Sequence, residues 1–294
     1  MSILVAYGPE GRGQGGLELA RLLSDSSALP LVVCCVIPDR WSSVGPGRQV
    51  DRDYEQYLYG LADAALARAR QMLGPVAAGV EVEVVTARSA PTGLLAAAER
   101  HGSRLLVTGS SSDGAWGHVA LGSVTDRLLH SSHVPVAVAP RGYRSRAGHR
   151  VRRVTVAVDG TEGTQAVLGR AATVAHDVGA ALRVVTFAVR AHPMYPPEVG
   201  LHAEDRVVAA WREQAATMVA QAVDALPADQ REGIECLVAE AATWREALDE
   251  PHWAEGDVLV LGSSTSQSLI SRVFLGSTAT RILRHSPVPV VVVP

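Results

Sequence analysis

The sequence predicts an α/β protein of two tandem domains, each an open five-stranded parallel sheet with helices on both faces. Three observations predict this class. Continuous apolar runs, such as LVVCCVI at 31–37, alternate with segments of helical period. The segment 105–140 returns in altered form at 258–294. The length of 294 residues suits two domains of about 150 residues each.

The helices and strands of the first half are predicted from the spacing of apolar residues and from the glycine and proline residues that interrupt it. Strands are predicted where short apolar runs end in glycine or polar residues, at 3–7, 31–37, 80–86, 105–108 and 134–139. Helices are predicted at 17–24, at 51–73 where Gly74 and Pro75 stop the pattern, at 91–100, and after Gly122. The segment 39–49 is predicted to be a loop. Strands that alternate with helices favour a parallel sheet.

The second half repeats this order. Val154 aligns with Ile3 and Leu182 with Leu31, which indicates a duplication. A second long helix is predicted at 204–226, and the proline-containing loop 190–200 before it is a candidate lid. We therefore expect one domain at 1–141, an arginine-rich solvated linker at 142–153, and a second domain at 154–294.

Composition excludes several classes of function. With 47% hydrophobic and 19% charged residues, the chain is an ordinary globular protein. A net charge of -3 argues against nucleic acid or an anionic membrane as the main partner. No apolar run approaches the roughly 20 residues that span a bilayer, and the start lacks a secretory pattern, so we expect a cytoplasmic protein. Cys34, Cys35 and Cys236 are expected to be reduced thiols on buried strands.

The repeated loop after the fourth strand contains the candidate ligand-binding groups. Ligands of open parallel sheets bind beyond the carboxyl ends of the strands. Glycines there let backbone N–H groups approach an anion, and a helix that starts at Gly122 and Ser123 adds unpaired N–H groups and a positive dipole end. This combination indicates a phosphate site. The alternative is that Ser123 merely caps the helix, with Asp126 three residues on.

The spacing of Gly109, Gly122 and Ser123, together with the duplicated Val-Pro-Val ending, resembles the signature of the universal stress protein family. The whole chain is similar to the tandem members of that family, which implies Rossmann-like domains of the adenine nucleotide alpha hydrolase type. The resemblance also implies a cytoplasmic regulatory or sensor module of the stress response that binds ATP or a related adenine nucleotide, with or without Mg²⁺. At most slow ATP hydrolysis is expected, because neither loop contains a lysine.

The family pattern places candidate nucleotide contacts in both halves. They are Gly109, Ser111, Ser112, Gly114, Gly122, Ser123, Val124 and Thr125 in the first half, and Asp159, Gly262, Ser264, Thr265, Gly276, Ser277 and Thr278 in the second. Each half departs from the pattern. Ser112 and Thr265 replace the second glycine, and the first half lacks the aspartate that ends strand one. The first half is favoured for phosphate because it keeps the glycine spacing.

Two other functions stay open. One is a nucleotide-free member of the same family that serves as a protein-interaction module. The other is an NAD-dependent enzyme that uses the glycine series from Gly11 to Gly16, which formally spells a dinucleotide fingerprint. The final strands at 134–139 and 288–293 are expected to pack the two domains together. Whether two chains form a homodimer is left open.

Overall fold

A computed structural model describes residues 1–9, 13–39, 48–112, 115–189, 201–263 and 277–294. The chain forms two compact units. The first comprises Met1–Arg150, and the second begins at Val151.

In its described residues, the first unit has five parallel strands and four α-helices, with a 3-10 helix at Gly74–Gly79. Its strand order is β3-β2-β1-β4-β5, and every neighbouring pair in that order is parallel. The elements are β1 Ser2–Ala6, α1 Gln14–Ser27, β2 Leu31–Pro38, α2 Arg48–Leu73, β3 Glu81–Ala87, α3 Ala90–Arg100, β4 Ser103–Gly109, α4 Ser123–Ser131 and β5 Val136–Ala139.

The second unit repeats this design, with the strand order β10-β9-β6-β7-β8, again parallel throughout. Val154 pairs with Leu182 as Ile3 pairs with Leu31, so the alignment of the two halves is also one of strand register. The elements are β6 Arg153–Ala157, α5 Glu162–Val178, β7 Ala181–Val189, α6 Leu201–Asp224, β8 Glu235–Ala241, α7 Trp244–Asp249, β9 Asp257–Gly262, α8 Ser277–His285 and β10 Val290–Val293.

The helices of the first unit form two layers. α1 packs beside α2, and α3 packs beside α4. With right-handed crossovers, the reversal of strand order between β1 and β4 places one helix pair on each face. The interiors of β1, β2, β4 and β5 are therefore covered on both sides, which is why their residues are nearly all buried. The predicted α/β class is confirmed.

Some boundaries differ from the predictions. α2 begins at Arg48, inside the predicted loop, while the loop positions 40–47 and the candidate lid 190–200 lie outside the described residues. Arg153, in the basic run, is the first residue of β6, and its guanidinium pairs with the buried Asp257 at 2.6 Å. The basic run is therefore not uniformly solvated. Among the described residues, no helix has both the length and the apolar character needed to cross a membrane.

The three cysteines do not share one environment. Cys34 and Cys35 are buried on β2, and burial raises the pKa of these thiols to about 12 and about 11. Cys236 lies near the start of β8, the last strand in the order of its sheet, and is exposed. The expectation that all three are buried is wrong for Cys236, because the apolar pattern does not show which strand lies at an edge.

This difference predicts the reactivity of the thiols. Because the thiolate is the reactive species, Cys34 and Cys35 are protected both by burial and by their raised pKa values. A disulfide reagent at pH 8 should modify one thiol per native chain and all three in guanidinium chloride. The Cys236→Ser variant should show no reactive thiol in the native state, and modification of Cys34 or Cys35 there would contradict the prediction.

Candidate functional site

The predicted site residues that the structure describes lie at the carboxyl edge of each sheet. In the first unit the strand order reverses between β1 and β4, and Gly109 ends β4 there. In the second unit Asp159 follows β6 and Gly262 ends β9. Gly109 pairs with Ala139 as Gly262 pairs with Val293, so the two glycines are equivalent. Each unit therefore presents these residues at the strand ends, here called the crevice, where open α/β sheets bind ligands.

The missing aspartate of the first unit has a defined replacement. The Tyr7 N–H donates to the carbonyl of Cys34, and the Val158 N–H donates to that of Val185, each at 2.9 Å. Tyr7 and Val158 are thus equivalent, and Gly8 takes the place of Asp159. The Tyr7 side chain is 1% exposed, and its hydroxyl donates to the Met72 sulfur at 3.7 Å. Burial raises the pKa of this phenol.

The loop after β4 is closed by its own hydrogen bonds. The Ser110 hydroxyl donates to the carbonyl of Ala139 at 2.7 Å and accepts from the Ala120 N–H at 3.0 Å. The Ser111 N–H donates to the carbonyl of Ala120 at 2.9 Å. These bonds hold both ends of the loop against the end of β5. Ser112 is exposed on this loop, and Gly114 lies outside the described residues.

The first turn of α4 carries no side-chain cap. Its N-cap is Gly122, so Ser123 is the first helical residue and is exposed, with Val124 half-buried behind it. The interpretation of Ser123 as the capping residue is therefore wrong. Hydroxyl side chains do cap other helices, as Thr161 caps α5 and Thr243 caps α7. In α5 and α7 a threonine side chain accepts from a backbone N–H of the first turn, and in α4 no side chain does so.

Thr125 supports this helix from inside. It is 3% exposed, and its hydroxyl lies 3.0 Å from that of Thr108 on β4. In the second unit the equivalent positions are the apolar Leu261 and Ala279. The pair therefore anchors α4 to β4 in the first unit only, and the Thr125 side chain faces the sheet instead of the crevice.

The glycine series before α1 has a packing role. Gly13 is the N-cap at φ 104°, and a Cβ there would lie 2.8 Å from the carbonyl oxygen of Ala6. A Cβ on Gly16 would lie 2.8 Å from the backbone nitrogen of Gly109. Without side chains at Gly13 and Gly16, α1 can lie close to the ends of β1 and β4. This packing explains why both positions are glycine, and no bound dinucleotide is needed to explain it. Gly11 lies outside the described residues.

The loop of the second unit is only partly described. Gly262 faces Val167 of α5, since a Cβ on the glycine would lie 3.2 Å from a methyl carbon of that valine. Ser277 and Thr278 open α8 and are exposed. Ser264, Thr265 and Gly276 lie outside the described residues.

Sequence reasoning missed the surroundings of Asp159. Its Oδ1 accepts from the Thr161 N–H at 3.1 Å and from the Thr161 hydroxyl at 2.7 Å. The single proton of the Thr164 hydroxyl is shared between Oδ1 at 3.0 Å and the Thr161 carbonyl at 2.8 Å. The sequence does show a threonine two positions and another five positions after this aspartate. Such residues are so common at helix starts that the pattern alone does not distinguish a cap from a carboxylate support.

A second missed feature is an exposed tryptophan on the loop of the first unit. Trp116 is 73% exposed, and the Arg141 guanidinium lies 5.4 Å from its ring centroid. The Gly117 N–H donates to the Arg141 carbonyl at 3.0 Å, so the backbone of the loop is joined to the segment after β5. A Cβ on Gly142 would lie 2.6 Å from the indole ring, so this position must stay free of a side chain for the ring to lie there.

Comparison with known proteins gives a consistent result over both units. The model of the universal stress protein family matches residues 1–140 and 150–294. Universal stress proteins of Mycobacterium tuberculosis and Mycobacterium bovis are each 38% identical over 296 residues, covering 100% of this chain and 100% of each relative.

A solved structure agrees in fold. A universal stress protein from Archaeoglobus fulgidus matches with a TM-score of 0.59 and 20% identity, covering 99% of this chain and 97% of that chain. At this identity the likeness shows the fold alone.

Proposed function

Because the chain belongs to the universal stress protein family, we propose that it binds ATP or a related adenine nucleotide and acts as a cytoplasmic regulatory or sensor module in the stress response. The observation that carries the proposal is the start of α4, where Gly122 is the N-cap without a side-chain acceptor and Ser123 is exposed. Unpaired N–H groups and the positive end of the helix dipole attract a phosphate group.

The described residues fit a nucleotide in distinct roles. The N–H groups of the first turn of α4, with the Ser123 hydroxyl, would hold phosphate oxygens, with or without Mg²⁺. The hydrogen bonds of Ser110 and Ser111 keep the preceding loop in place beside them. The buried pair of Thr108 and Thr125 keeps α4 at a fixed distance from β4. In a separate site of the second unit, Asp159 would accept from the nucleoside.

Calorimetric titration of the purified chain with ATP and ADP, with and without Mg²⁺, tests this proposal. We expect saturable binding, and mass analysis of the purified protein should detect any nucleotide that is carried through purification. Blank titrations together with a nucleotide-free preparation would contradict it.

A charge placed at the start of α4 sharpens the test. Ser123→Asp sets a carboxylate at the first helical position, against the phosphates, so ATP affinity should fall by about tenfold or more. Ser131→Asp places the same charge on the exposed last residue of the same helix and should leave the affinity within about twofold. Ser277→Asp at the start of α8 makes the matching change in the second unit. Equal effects of Ser123→Asp and Ser131→Asp would show that α4 does not hold phosphate.

One observation favours the nucleotide-free alternative for the first unit. Tyr7 places a buried aromatic ring just after β1, where the second unit has the smaller Val158, and a protein-interaction module is expected to fill its crevices with side chains. Under this alternative the first unit binds no nucleotide, and Ser123→Asp leaves the titration unchanged.

A further inference from the structure

A concentration of positive charge lies on the segment 141–150, which follows β5 in the first unit. The stretch 127–158 holds seven arginines and no Asp or Glu. The side chains of Arg144, Arg146 and Arg150 are exposed, and none of them forms an ion pair with a carboxylate among the described residues. Three guanidinium groups therefore face solvent without a carboxylate of the described chain to neutralise them.

The backbone of this segment is held against the rest of the first unit. The Arg141 N–H donates to the His118 carbonyl at 2.9 Å. Arg21 of α1 is 8% exposed, and its Nη2 donates to the carbonyl of Ser145, which is itself buried. The exposed arginines on either side of Ser145 therefore project from a backbone of fixed position. This order lowers the entropy that is lost when a partner binds.

An exposed tryptophan adjoins the same segment. Trp116 is 73% exposed, and the Arg141 guanidinium lies 5.4 Å from its ring centroid. The ring also lies against the backbone of Gly142, where a Cβ would lie 2.6 Å from the indole. These contacts hold the ring in place but leave most of its apolar surface in water. Burial of such a ring is favourable, and tryptophan and arginine are both enriched among the residues that dominate protein interfaces.

The charges decide what kind of partner suits these residues. Guanidinium groups bind carboxylates and phosphates through paired hydrogen bonds. A nucleic acid gains its affinity from many phosphate contacts, whereas the segment 141–150 offers few cations and the whole chain carries a net charge of -3. A short acidic peptide needs only a few carboxylates and can bring an apolar side chain to the indole ring. The observations therefore favour an acidic peptide over a nucleic acid.

We propose that Trp116, Arg141, Arg144, Arg146 and Arg150, here called the basic surface, bind an acidic segment of a partner protein. Carboxylates of that segment accept hydrogen bonds from the arginines, and an apolar side chain of the segment covers the exposed part of the indole ring. None of these residues is among the proposed nucleotide contacts. The inference therefore does not depend on nucleotide binding.

Fluorescence anisotropy with the full chain and labelled synthetic probes tests this assignment. The first probe is a peptide of Glu-Glu-Leu repeats, and its matched control has Gln-Gln-Leu repeats of the same length. We expect the acidic peptide to bind at least about tenfold tighter than the control, and its affinity to fall as salt is raised. Equal affinity for the two peptides, or no saturable binding of the acidic one, would overturn the proposal.

A third probe distinguishes the two classes of polyanion. It is a single-stranded thymidine oligonucleotide, which carries phosphates in place of carboxylates. We expect it to bind more weakly than the acidic peptide at the same salt concentration. Tighter binding of the oligonucleotide would make the basic surface a nucleic-acid site and would overturn the choice of an acidic peptide.

Two double variants locate the site on the chain. Arg144→Gln combined with Arg146→Gln should lower the affinity for the acidic peptide by about fivefold. Arg68→Gln combined with Arg70→Gln is the matched control, because both arginines are exposed on α2 at the same spacing and the net charge changes equally. The control should stay within about twofold of the wild type. Equal losses from the two double variants would show a response to net charge alone, which contradicts the proposal.

Trp116→Ala tests the apolar contact. It should weaken binding of the Glu-Glu-Leu peptide by about fivefold and leave a Glu-Glu-Ser peptide within about twofold, because serine brings no apolar side chain to the indole. Trp116→Phe keeps an aromatic ring and should recover most of the affinity. The thermal unfolding of these variants should match that of the wild type, since the substituted side chain is exposed. Equal weakening of both peptides by Trp116→Ala would overturn the contact assigned to the ring.

Discussion

Replacing Gly16 by alanine is expected to lower the free energy of unfolding by about 2–3 kcal/mol. The new Cβ would lie 2.8 Å from the backbone nitrogen of Gly109 and 2.9 Å from the carbonyl carbon of Thr108. Both are backbone atoms at the end of a central strand, so no side chain can rotate away to relieve the contact. The helix α1 must move outward, and its buried apolar face loses contact with β1 and β4. Urea denaturation followed by circular dichroism measures the change.

Gly169→Ala provides the matched control for this prediction. Gly169 lies in the interior of α5, and a Cβ there would meet no atom within 4 Å. Alanine has the higher helix propensity, so this variant should be more stable by about 0.5–1 kcal/mol. A Gly16→Ala variant as stable as the wild type would contradict the prediction that α1 packs too closely on β4 to admit a side chain.

Asp257→Ala is expected to have an effect of similar size, about 3 kcal/mol, in the second unit. The carboxylate is 2% exposed and accepts from Nε and Nη2 of Arg153 and from the Ala254 N–H, with the shortest contact at 2.6 Å. Its removal leaves the Arg153 guanidinium partly buried without its main partner. It also frees the segment before β9, which Asp257 holds through Ala254.

The surroundings of Asp257 strengthen this expectation. Arg183 is 2% exposed and donates to Glu235 at 2.8 Å and to the carbonyl of Pro251 at 2.7 Å. Its guanidinium carbon lies 5.9 Å from the centroid of the Trp253 ring. Arg153 also approaches Glu235, at 3.4 Å. The two arginines and their acceptors thus form one network at the amino ends of β6, β7 and β9, and networks of buried charge respond strongly to the loss of a member.

Two further variants locate the cause. Asp257→Asn keeps an acceptor for the Ala254 N–H but removes the charge, so its loss should be intermediate. Arg212→Gln breaks an ion pair with Glu240 in which the arginine is 63% exposed, and this change should cost less than about 1 kcal/mol. Equal losses from Asp257→Ala and Arg212→Gln would mean that burial does not strengthen the Asp257 pair.

The duplicated units have diverged at the same edge of their sheets. The first unit keeps an uncapped helix start at Gly122 and supports that helix with the pair of Thr108 and Thr125. The second unit keeps Asp159, which accepts from the N–H and the hydroxyl of Thr161. Each unit has therefore diverged by itself, the first at the proposed phosphate position and the second at the proposed nucleoside position. Ser123→Asp and Ser277→Asp test the two units separately.

The elements of the fold were largely predictable because they depend on local pattern. The run 31–37 is apolar at every position, as a strand covered on both faces must be, and 154–157 is apolar except at Thr155. The observed strands agree with the predictions within a few residues. The repeat was predictable for the same reason, since the strand registers follow the aligned apolar positions. The family resemblance predicted Gly109, Asp159 and Gly262 as site residues, and the structure places them at the carboxyl edges of the two sheets.

The amino-acid sequence by itself determined the class of fold, the duplication and the candidate loops, because hydrophobic period and glycine spacing are properties of neighbouring residues. Only the tertiary structure decided which polar groups meet. The structure shows that the Thr125 hydroxyl faces Thr108, that Gly122 and not Ser123 is the N-cap, that Gly16 packs α1 against β4, and that Asp159 accepts from Thr161. Each of these outcomes depends on side-chain orientation and on the distance between packed elements, which spacing along the chain does not specify.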